Sequence, residues 1–568
     1  LIGMGLGSTT LMVLGALAFI GAAIFAAMAG ALSFAFIALA LASVGVTSYL
    51  FLYIRAGQNP PLNEADPSTW RSLLAVIRRE QYPIRTPLDD PTELHGPDNP
   101  GRSLQMIWLQ LLNYFQYFSW QWARGVGEGV ATFLVTTAMF FFGVQGSLLQ
   151  RRSDRPGWWL LFTLWLITGL GLVGYMNFRP GFSLAASYEA YPDPSDHEVR
   201  DRDYFFIASF AVWGLWAGMG VAAMVRAVAA RVTGARLAAG ALFAAALLPV
   251  AFNWEAASRR HGPAATLAAD VAYDLLNTAP PYAVLFTYGD NDTFPLWWAQ
   301  EVEGIRRDVT IVCIALANTD WYMRQLRDTP VRPFDESAAP AVWQGRSPQR
   351  PDWPLHTMTD DEIESAMYAQ ILPRDITVRV GPVTTTLPAN RIMGPSDFVT
   401  MRILQQNAGR RPIVWSVTAG REYLGMDPYL VQQALGFQLH VSPPPDSMPG
   451  LDRMALAGSP LDVDLTERLV WETYRYAGLL EAGDEEVTEL ESTAAQFAST
   501  LALPYTQLAY AYRERGLFDR VARNLERAIA LSPNPALRAA LDELRFPTAL
   551  PSDAAVDTAA ALTPPDSP

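Results

Sequence analysis

The hydrophobic positions of the chain fall into two regimes. Before residue 254 they come in long unbroken runs, and after it in short runs separated by polar residues. A helix that crosses a bilayer needs about 20 mostly apolar residues. Six stretches satisfy this, roughly residues 8–29, 32–54, 130–149, 157–177, 204–225 and 236–253. Any one of them alone could be a buried core helix. Six in succession, with aromatic residues near several ends, predict a multi-pass α-helical membrane domain over residues 1–253 with two long loops at 55–129 and 178–203. The first two spans are rich in Ala and Gly, which permits close helix–helix packing.

Beyond residue 254 the pattern alternates between helix and strand periods. Residues 264–277, 292–302 and 319–327 suit helices, while 283–288, 309–316 and 412–417 read as strands. These strands are apolar throughout, as in a parallel sheet covered on both faces. The expectation is a soluble α/β domain over 254–441, with an irregular Pro-rich excursion at 329–358 and a linker at 442–460. From 465 to 545 the pattern is helical. Residues 505–533, YTQLAYAYRERGLFDRVARNLERAIALSP, fit the tetratricopeptide helix–turn–helix, with Tyr505, Leu508, Ala509, Tyr512, Gly516, Val521, Leu525, Ala528 and Pro533 on its fixed positions. One repeat cannot bury its face alone, so residues 467–500 are expected to supply a helical neighbour. The Ala/Pro/Asp-rich tail at 546–568 is expected to be disordered.

Charge placement orients the spans. Arg151, Arg152 and Arg155 crowd the turn after span three, and Arg226, Arg231 and Arg236 the turn after span five. Short arginine-rich loops stay in the cytoplasm. The loops 55–129 and 178–203 and everything after 254 should then lie on the extracytoplasmic side of a plasma membrane. A formal charge of -14 disfavours a nucleic-acid partner. The single cysteine, Cys313, excludes an internal disulfide, and its place in the apolar run Val309–Ala315 predicts a buried, inert thiol. His95, His261, His356 and His440 are scattered, so no metal site is expected. Without a Gly-rich phosphate loop or a nucleophile elbow, no cofactor is identified. The chain opens on Leu1 with no charged segment before the first apolar run, which suggests that it starts inside a longer protein.

Three charged stretches could carry chemistry. In Gly289-Asp290-Asn291-Asp292 the acids sit where a strand ends, a position at which α/β sheets bind ligands. The same residues can instead cap the next helix, and their spacing fits no calcium loop. A capping and docking turn is the favoured reading, with a place on an acceptor path left open for Asp290, Asn291 and Asp292, and for Asp320 and Trp321 after the second strand. Arg55 stands at the end of span two, followed by Asn59, Asn63, Glu64 and Asp66. It can clamp a lipid phosphate with its planar fork or simply snorkel. Glu80 and Gln81 end an amphipathic stretch, 70–79, expected along the membrane surface. The aromatic stretch 104–124 reads as a second interfacial helix. In HEVRDRDY (197–204) the alternating signs predict a salt-bridge cluster, with Arg200 and Arg202 as alternative phosphate ligands.

Several of these stretches resemble one family. IRAGQNPPLNEADPSTW (54–70), REQYP (79–83), EVRDRDYFF (198–206), YGDNDTFPLWWAQEVEG (288–304) and NTDWYMRQL (318–326) look like hallmark stretches of the protein O-mannosyltransferase-like membrane proteins, over about residues 40–440. A tetratricopeptide end is common among them. That family is similar to the GT-C class of membrane glycosyltransferases. The resemblance implies transfer of a sugar, mannose above all, from a polyprenyl-phosphate donor to an extracytoplasmic protein. Membrane lipid, the lipid-linked sugar and a protein acceptor are the partners it implies, the last reached through the tetratricopeptide-like helices. It also implies a catalytic carboxylate in an Asp-x-Gly-Glu stretch of the first external loop. No such stretch occurs here, and Gly127-Glu128 is the nearest fragment. The chain therefore looks like the C-terminal part of the family pattern. The rival reading is a non-catalytic membrane-anchored scaffold that binds an extracytoplasmic partner through its helical repeats.

Overall fold

The computed structural model describes residues 9–30, 32–80, 86–127, 129–231, 235–257, 262, 264–346, 348–419, 423–442, 451–453, 459–480, 490 and 492–545. Gln81, His261 and the tail at 546–568 lie outside the described residues. By contacts the chain divides into two compact units. One takes the described residues of 1–82 and 263–566, the other those of 83–262.

Six helices are long and apolar enough to cross a membrane: Thr9–Met28, Ala35–Ala56, Val130–Ser153, Arg155–Met176, Asp203–Ala230 and Leu237–Trp254. The protein is thus membrane-embedded, and the hydropathy runs mark the spans to within a few residues. The first unit opens with α1 (Thr9–Met28) and α2 (Leu32–Ala56), joined by a tight turn. The short helix α3 (Trp70–Arg78) is capped by Thr69, whose hydroxyl accepts the Ser72 N–H at 3.1 Å. It lies across one end of the α1–α2 hairpin. Trp70 stacks on Tyr53 of α2 at 4.9 Å, and Arg78 donates to Thr9 at the start of α1 at 2.7 Å. The expected amphipathic surface stretch is therefore a real helix, fixed at both ends.

Spans one and two pack on each other with Ala23 and Ala35 buried, but Gly15, Gly21 and Gly45 face open space, so glycine-mediated close approach is found elsewhere. It occurs in the second unit. That unit contains α4 (Leu104–Ala123), α5 (Val130–Ser153), α6 (Arg155–Leu166), a π turn at Ile167–Gly171, α7 (Leu172–Met176) and α8 (Ile207–Arg231). A Cβ at Gly146 would lie 1.8 Å from the Trp216 carbonyl oxygen, and one at Gly220 2.1 Å from that of Phe142. Glycine content predicts close approach only where the glycines share the facing stripe. Trp213 donates to the Met139 carbonyl at 3.3 Å and Trp216 to Gln150 at 2.7 Å, so α5 and α8 run parallel. The ends bearing Arg151–Arg152 and Arg226 therefore share one side of this unit, as the charge pattern requires. The α4 helix packs one face into this unit and leaves Trp108 and Phe115 exposed on the other. It buries Tyr114, Tyr117 and Phe118 at i, i+3 and i+4, with Phe118 edge-on to Trp213 at 5.7 Å.

In the first unit the α/β region follows the expected order: α9 (Leu267–Thr278), β1 (Val284–Thr287), α10 (Asp290–Glu301), β2 (Thr310–Cys313) and α11 (Asp320–Asp328). Two small ribbons then arise that the sequence did not announce. They pair β3 (Gln370–Ile371) with β6 (Ile392–Met393), and β4 (Ile376–Val380) with β5 (Val383–Leu387). The expected strand β7 (Ile413–Ser416) follows, then the hairpin β8 (Leu430–Gln433) and β9 (Gly436–Leu439). Within the stretch expected to be a linker, β10 (Leu451–Arg453) and β11 (Pro460–Asp462) extend the same sheet. Its order is β10-β11-β8-β9-β7-β1-β2, parallel at its β7-β1-β2 end and mixed elsewhere. Three-residue strands carry almost no periodic signal, which is why the sequence did not announce them; residues 443–450 and 454–458 of the expected linker lie outside the described residues.

The C-terminal helices are α12 (Val463–Arg468), α13 (Ala477–Leu480), α14 (Ser492–Glu514), α15 (Phe518–Leu531) and α16 (Pro535–Arg545). In the α14–α15 hairpin Tyr505, Leu508, Ala509, Tyr512, Val521, Leu525 and Ala528 are buried, and Gly516 makes the turn at φ 70°. This hairpin is no separate module. One continuous core runs from Leu267 and Leu275 through Val414 to Leu508 and Leu541. Its face is buried partly by the expected neighbour within 467–500, where the Val470 carbonyl accepts from Tyr505 at 2.7 Å, and partly by the α/β region, where Gln432 donates to Gln507 at 2.8 Å.

Candidate functional site at the carboxyl edge of the sheet

Strand β1 lies between β7 and β2 and is parallel to both. The chain leaves β1 toward β2 on one side, while β7 arrives on the other. This is a topological switch point, where a crevice opens outside the carboxyl ends of the strands. The Gly289–Asp292 turn sits there. Asp292 is buried, and its carboxylate accepts the Tyr288 and Gly289 N–H groups, each at 2.9 Å. The Thr418 hydroxyl, beyond the end of β7, donates to the same carboxylate. All of these contacts are structural. Gly289 is the N-cap, and Asp292 reaches back to it from the first turn of α10 and favours the positive end of the helix. Thr418 was missed because it is 126 residues away in sequence, and no local pattern marks it. Cys313 is buried beneath this turn, with its thiol 3.5 Å from the Tyr288 carbonyl, and burial pushes the thiol pKa up.

Asp290 and Asn291 face outward. What approaches them is the loop that leaves span two. That loop is tightly wound: Asn59, Ala65 and Asp66 have φ of 51°, 61° and 35°, and Asn63 donates to Asp66 at 2.8 Å. Asn and Asp tolerate this region, but at Ala65 it costs energy, so the loop's shape there is imposed by its contacts. Gln325 of α11 donates to the Pro61 carbonyl at 3.0 Å. The Glu64 side chain keeps a face open to solvent, yet crowding around its carboxyl and the negative charge of Asp290 together raise its pKa. Arg55, exposed at the end of α2, donates to Gln58 and to no other side chain among the described residues. Asn59 is exposed at the turn.

The other sequence candidates are dispersed. Asp320 takes a 2.5 Å bond from Arg324, which also reaches Asp360 at 3.4 Å in a surface network. Trp321 is partly buried, and among the described residues its indole N–H has no partner. Glu80 is exposed and pairs with Arg78 at 3.3 Å. In the second unit Arg202 is committed to Glu198, with bonds of 2.9 and 2.6 Å, and to Tyr204 at 3.1 Å. This is the salt-bridge cluster that the alternating signs predicted. Arg200 makes no ion pair among the described residues and lies over the Tyr204 ring at 5.9 Å. His197, the first residue of the 197–204 stretch, is buried, bonded to Ser187 at 2.9 Å and stacked on Tyr188 at 3.9 Å, partners that the sequence did not indicate.

The fold and this edge define a membrane-embedded protein with a mixed α/β region and C-terminal helices. In it, the loop leaving the second span docks on the carboxyl edge of the sheet. Residues 268–344, from α9 past α11, match the family model described as TMEM260-associated domain 2. No curated protein and no solved structure matches the chain significantly.

Proposed function

We propose that this chain is the acceptor-handling part of a GT-C-like membrane glycosyltransferase. It transfers a sugar, mannose first among the candidates, from a polyprenyl-phosphate donor to protein on the extracytoplasmic side of the plasma membrane. The observation that supports this most is a convergence. Three of the stretches that carry the family resemblance, 54–70, 288–304 and 318–326, come together at the carboxyl edge of one sheet, through Pro61, Glu64, Asp290 and Gln325. Loops that merely covered the surface would have no reason to meet there. In this reading Arg55 of the first unit and Arg200 of the second, neither in an ion pair among the described residues, are separate candidates for holding a donor phosphate. Arg202, neutralised by Glu198, positions its neighbours. The α14–α15 hairpin, of tetratricopeptide type, extends the acceptor surface. The catalytic carboxylate comes from outside these residues, because no Asp-x-Gly-Glu stretch is present. That same absence favours the second reading, a membrane-anchored scaffold that binds an extracytoplasmic partner.

The test is sugar transfer against donor concentration in reconstituted membranes. Losing a charge-assisted phosphate contact costs about 1.5–3 kcal/mol, or roughly one to two decades of affinity. Arg55→Lys and Arg200→Lys should therefore need correspondingly more donor, with insertion intact. Equal rates at limiting donor would make both arginines anchors, and no transfer from any polyprenyl-phosphate sugar would favour the scaffold. Orientation has its own check: a reporter active only in the cytoplasm, fused after residue 330, should stay silent.

A further inference from the structure

The α10 helix has an outer face that its own domain does not use. Leu296 and Ala299 point into the core, whereas Phe294, Trp298 and Val302 are 37%, 41% and 67% exposed. Their i, i+4, i+8 spacing lines them up as one stripe. Exposed large apolar groups in a row need an explanation that scattered ones do not. Water-facing helices of soluble domains carry charge on this face instead.

The position of the stripe indicates what covers it. The α10 helix begins at Asp290, close enough to Glu64 for their charges to interact, and Glu64 lies eight residues past the last residue of a membrane span, Ala56. The neighbouring α11 helix is bonded to Pro61, five residues past that end. The end of the span is itself marked by an interfacial pair, Tyr53 stacked on Trp70, with Trp70 60% exposed. The loop between adds Leu62, also exposed. Exposed Trp70 and Leu62 thus lie on the same segment that ties the membrane end of α2 to the start of α10 through Glu64 and Asp290. Trp, Tyr and Phe are the residues that settle at the headgroup level of a bilayer.

We propose that the Phe294–Trp298–Val302 face of α10 lies in the headgroup layer of the bilayer and seats the α/β domain on the membrane beside span two. The flanking charges fix the kind of lipid. Asp290 and Glu303 border the stripe, and the arginines at its end, Arg307 and Arg332, are paired with Glu301 at 3.5 and 2.6 Å, so no free basic cluster adjoins it among the described residues. The face therefore takes a zwitterionic surface by apolar burial, and its binding is insensitive to salt. Polybasic segments, which bind anionic lipid, behave in the opposite way.

The single native cysteine is buried, which makes site-specific labelling of the whole chain clean. Phe294→Cys, Trp298→Cys and Val302→Cys, each carrying a fluorescent probe, would be placed in phosphatidylcholine nanodiscs with nitroxide-labelled lipid. The expected result is quenching by the headgroup nitroxide at all three positions, protection from an aqueous quencher, and no change when salt is raised or anionic lipid is added. Probes open to the aqueous quencher and untouched by the lipid nitroxide would overturn the proposal. So would probes shielded only after an unfolded acceptor peptide is added, since the stripe would then be a peptide platform. Three independent positions keep the test decisive if one variant folds poorly. No arm measures sugar transfer, so the outcome stands apart from the glycosyltransferase reading.

Discussion

The Gly289–Asp292 turn and the loop at 57–69 meet at the same edge, and both looked in sequence like polar segments available for chemistry. They use their polar groups in opposite ways. The turn spends them inward: the Asp292 carboxylate is saturated by two backbone N–H groups and the Thr418 hydroxyl, out of reach of solvent. The loop keeps Asn59 and Glu64 open, beside Arg55 at the end of α2, and has three non-glycine residues at positive φ. A buried, satisfied carboxylate is a structural element. An exposed one with a raised pKa, held on a strained backbone, is available to a ligand. Asp290 belongs with the loop, although it is two residues from Asp292.

The largest effect that would sharpen this contrast is at Asp292. Asp292→Ala removes three hydrogen bonds to a buried carboxylate and leaves their donors unpaired. We expect a loss of about 2–4 kcal/mol, more than an isolated helix cap would give. It should be read as a lower unfolding midpoint and faster hydrogen exchange in α10. A folded, equally stable variant lacking only activity would reverse the assignment of the turn as structural.

A smaller effect is expected in the loop. Ala65 has φ 61°, so Ala65→Gly should stabilise the loop by about 0.5–1 kcal/mol. Ala65→Val should cost about 1–2 kcal/mol, because a β-branched residue tolerates that backbone worst. Unchanged exchange rates around residues 57–69 in both variants would mean that the loop is not held in this shape.

The smallest effect concerns the contact between the two segments. A carboxyl whose pKa is raised in the folded state stabilises it most at low pH, and this contribution fades as pH rises through the folded value. Docking of the loop should therefore weaken as pH climbs above the ordinary glutamate range near about 4.3. Asp290→Asn should move the Glu64 titration back toward that range and flatten the dependence, as followed by NMR of the Glu64 carboxyl. A Glu64 titration unmoved by this substitution would show that Asp290 is not the neighbour that raises it.

Local pattern alone determined a good deal. Twenty-residue apolar runs have one dominant use, so the six spans were legible. The short apolar strands and amphipathic helices of 264–328 were legible too, because period and turn residues agree. The alternating signs of 198–203 gave the Glu198–Arg202 pair, since partners at i, i+4 are local. Other features were decided only by the tertiary structure. The strands at 451–453 and 460–462 exist because a sheet edge was there to pair with. The helical hairpin borrows its core from the α/β region because one pair of helices cannot bury its own face. Glycine packing fell between α5 and α8 because facing stripes, not glycine content, set the approach of two helices. The division between Asp292 and Asp290 depended on Thr418 and Glu64, which lie 126 and 226 positions from their partners. Sequence displays residue type and spacing, whereas solvation and charge depend on neighbours that only the folded chain supplies.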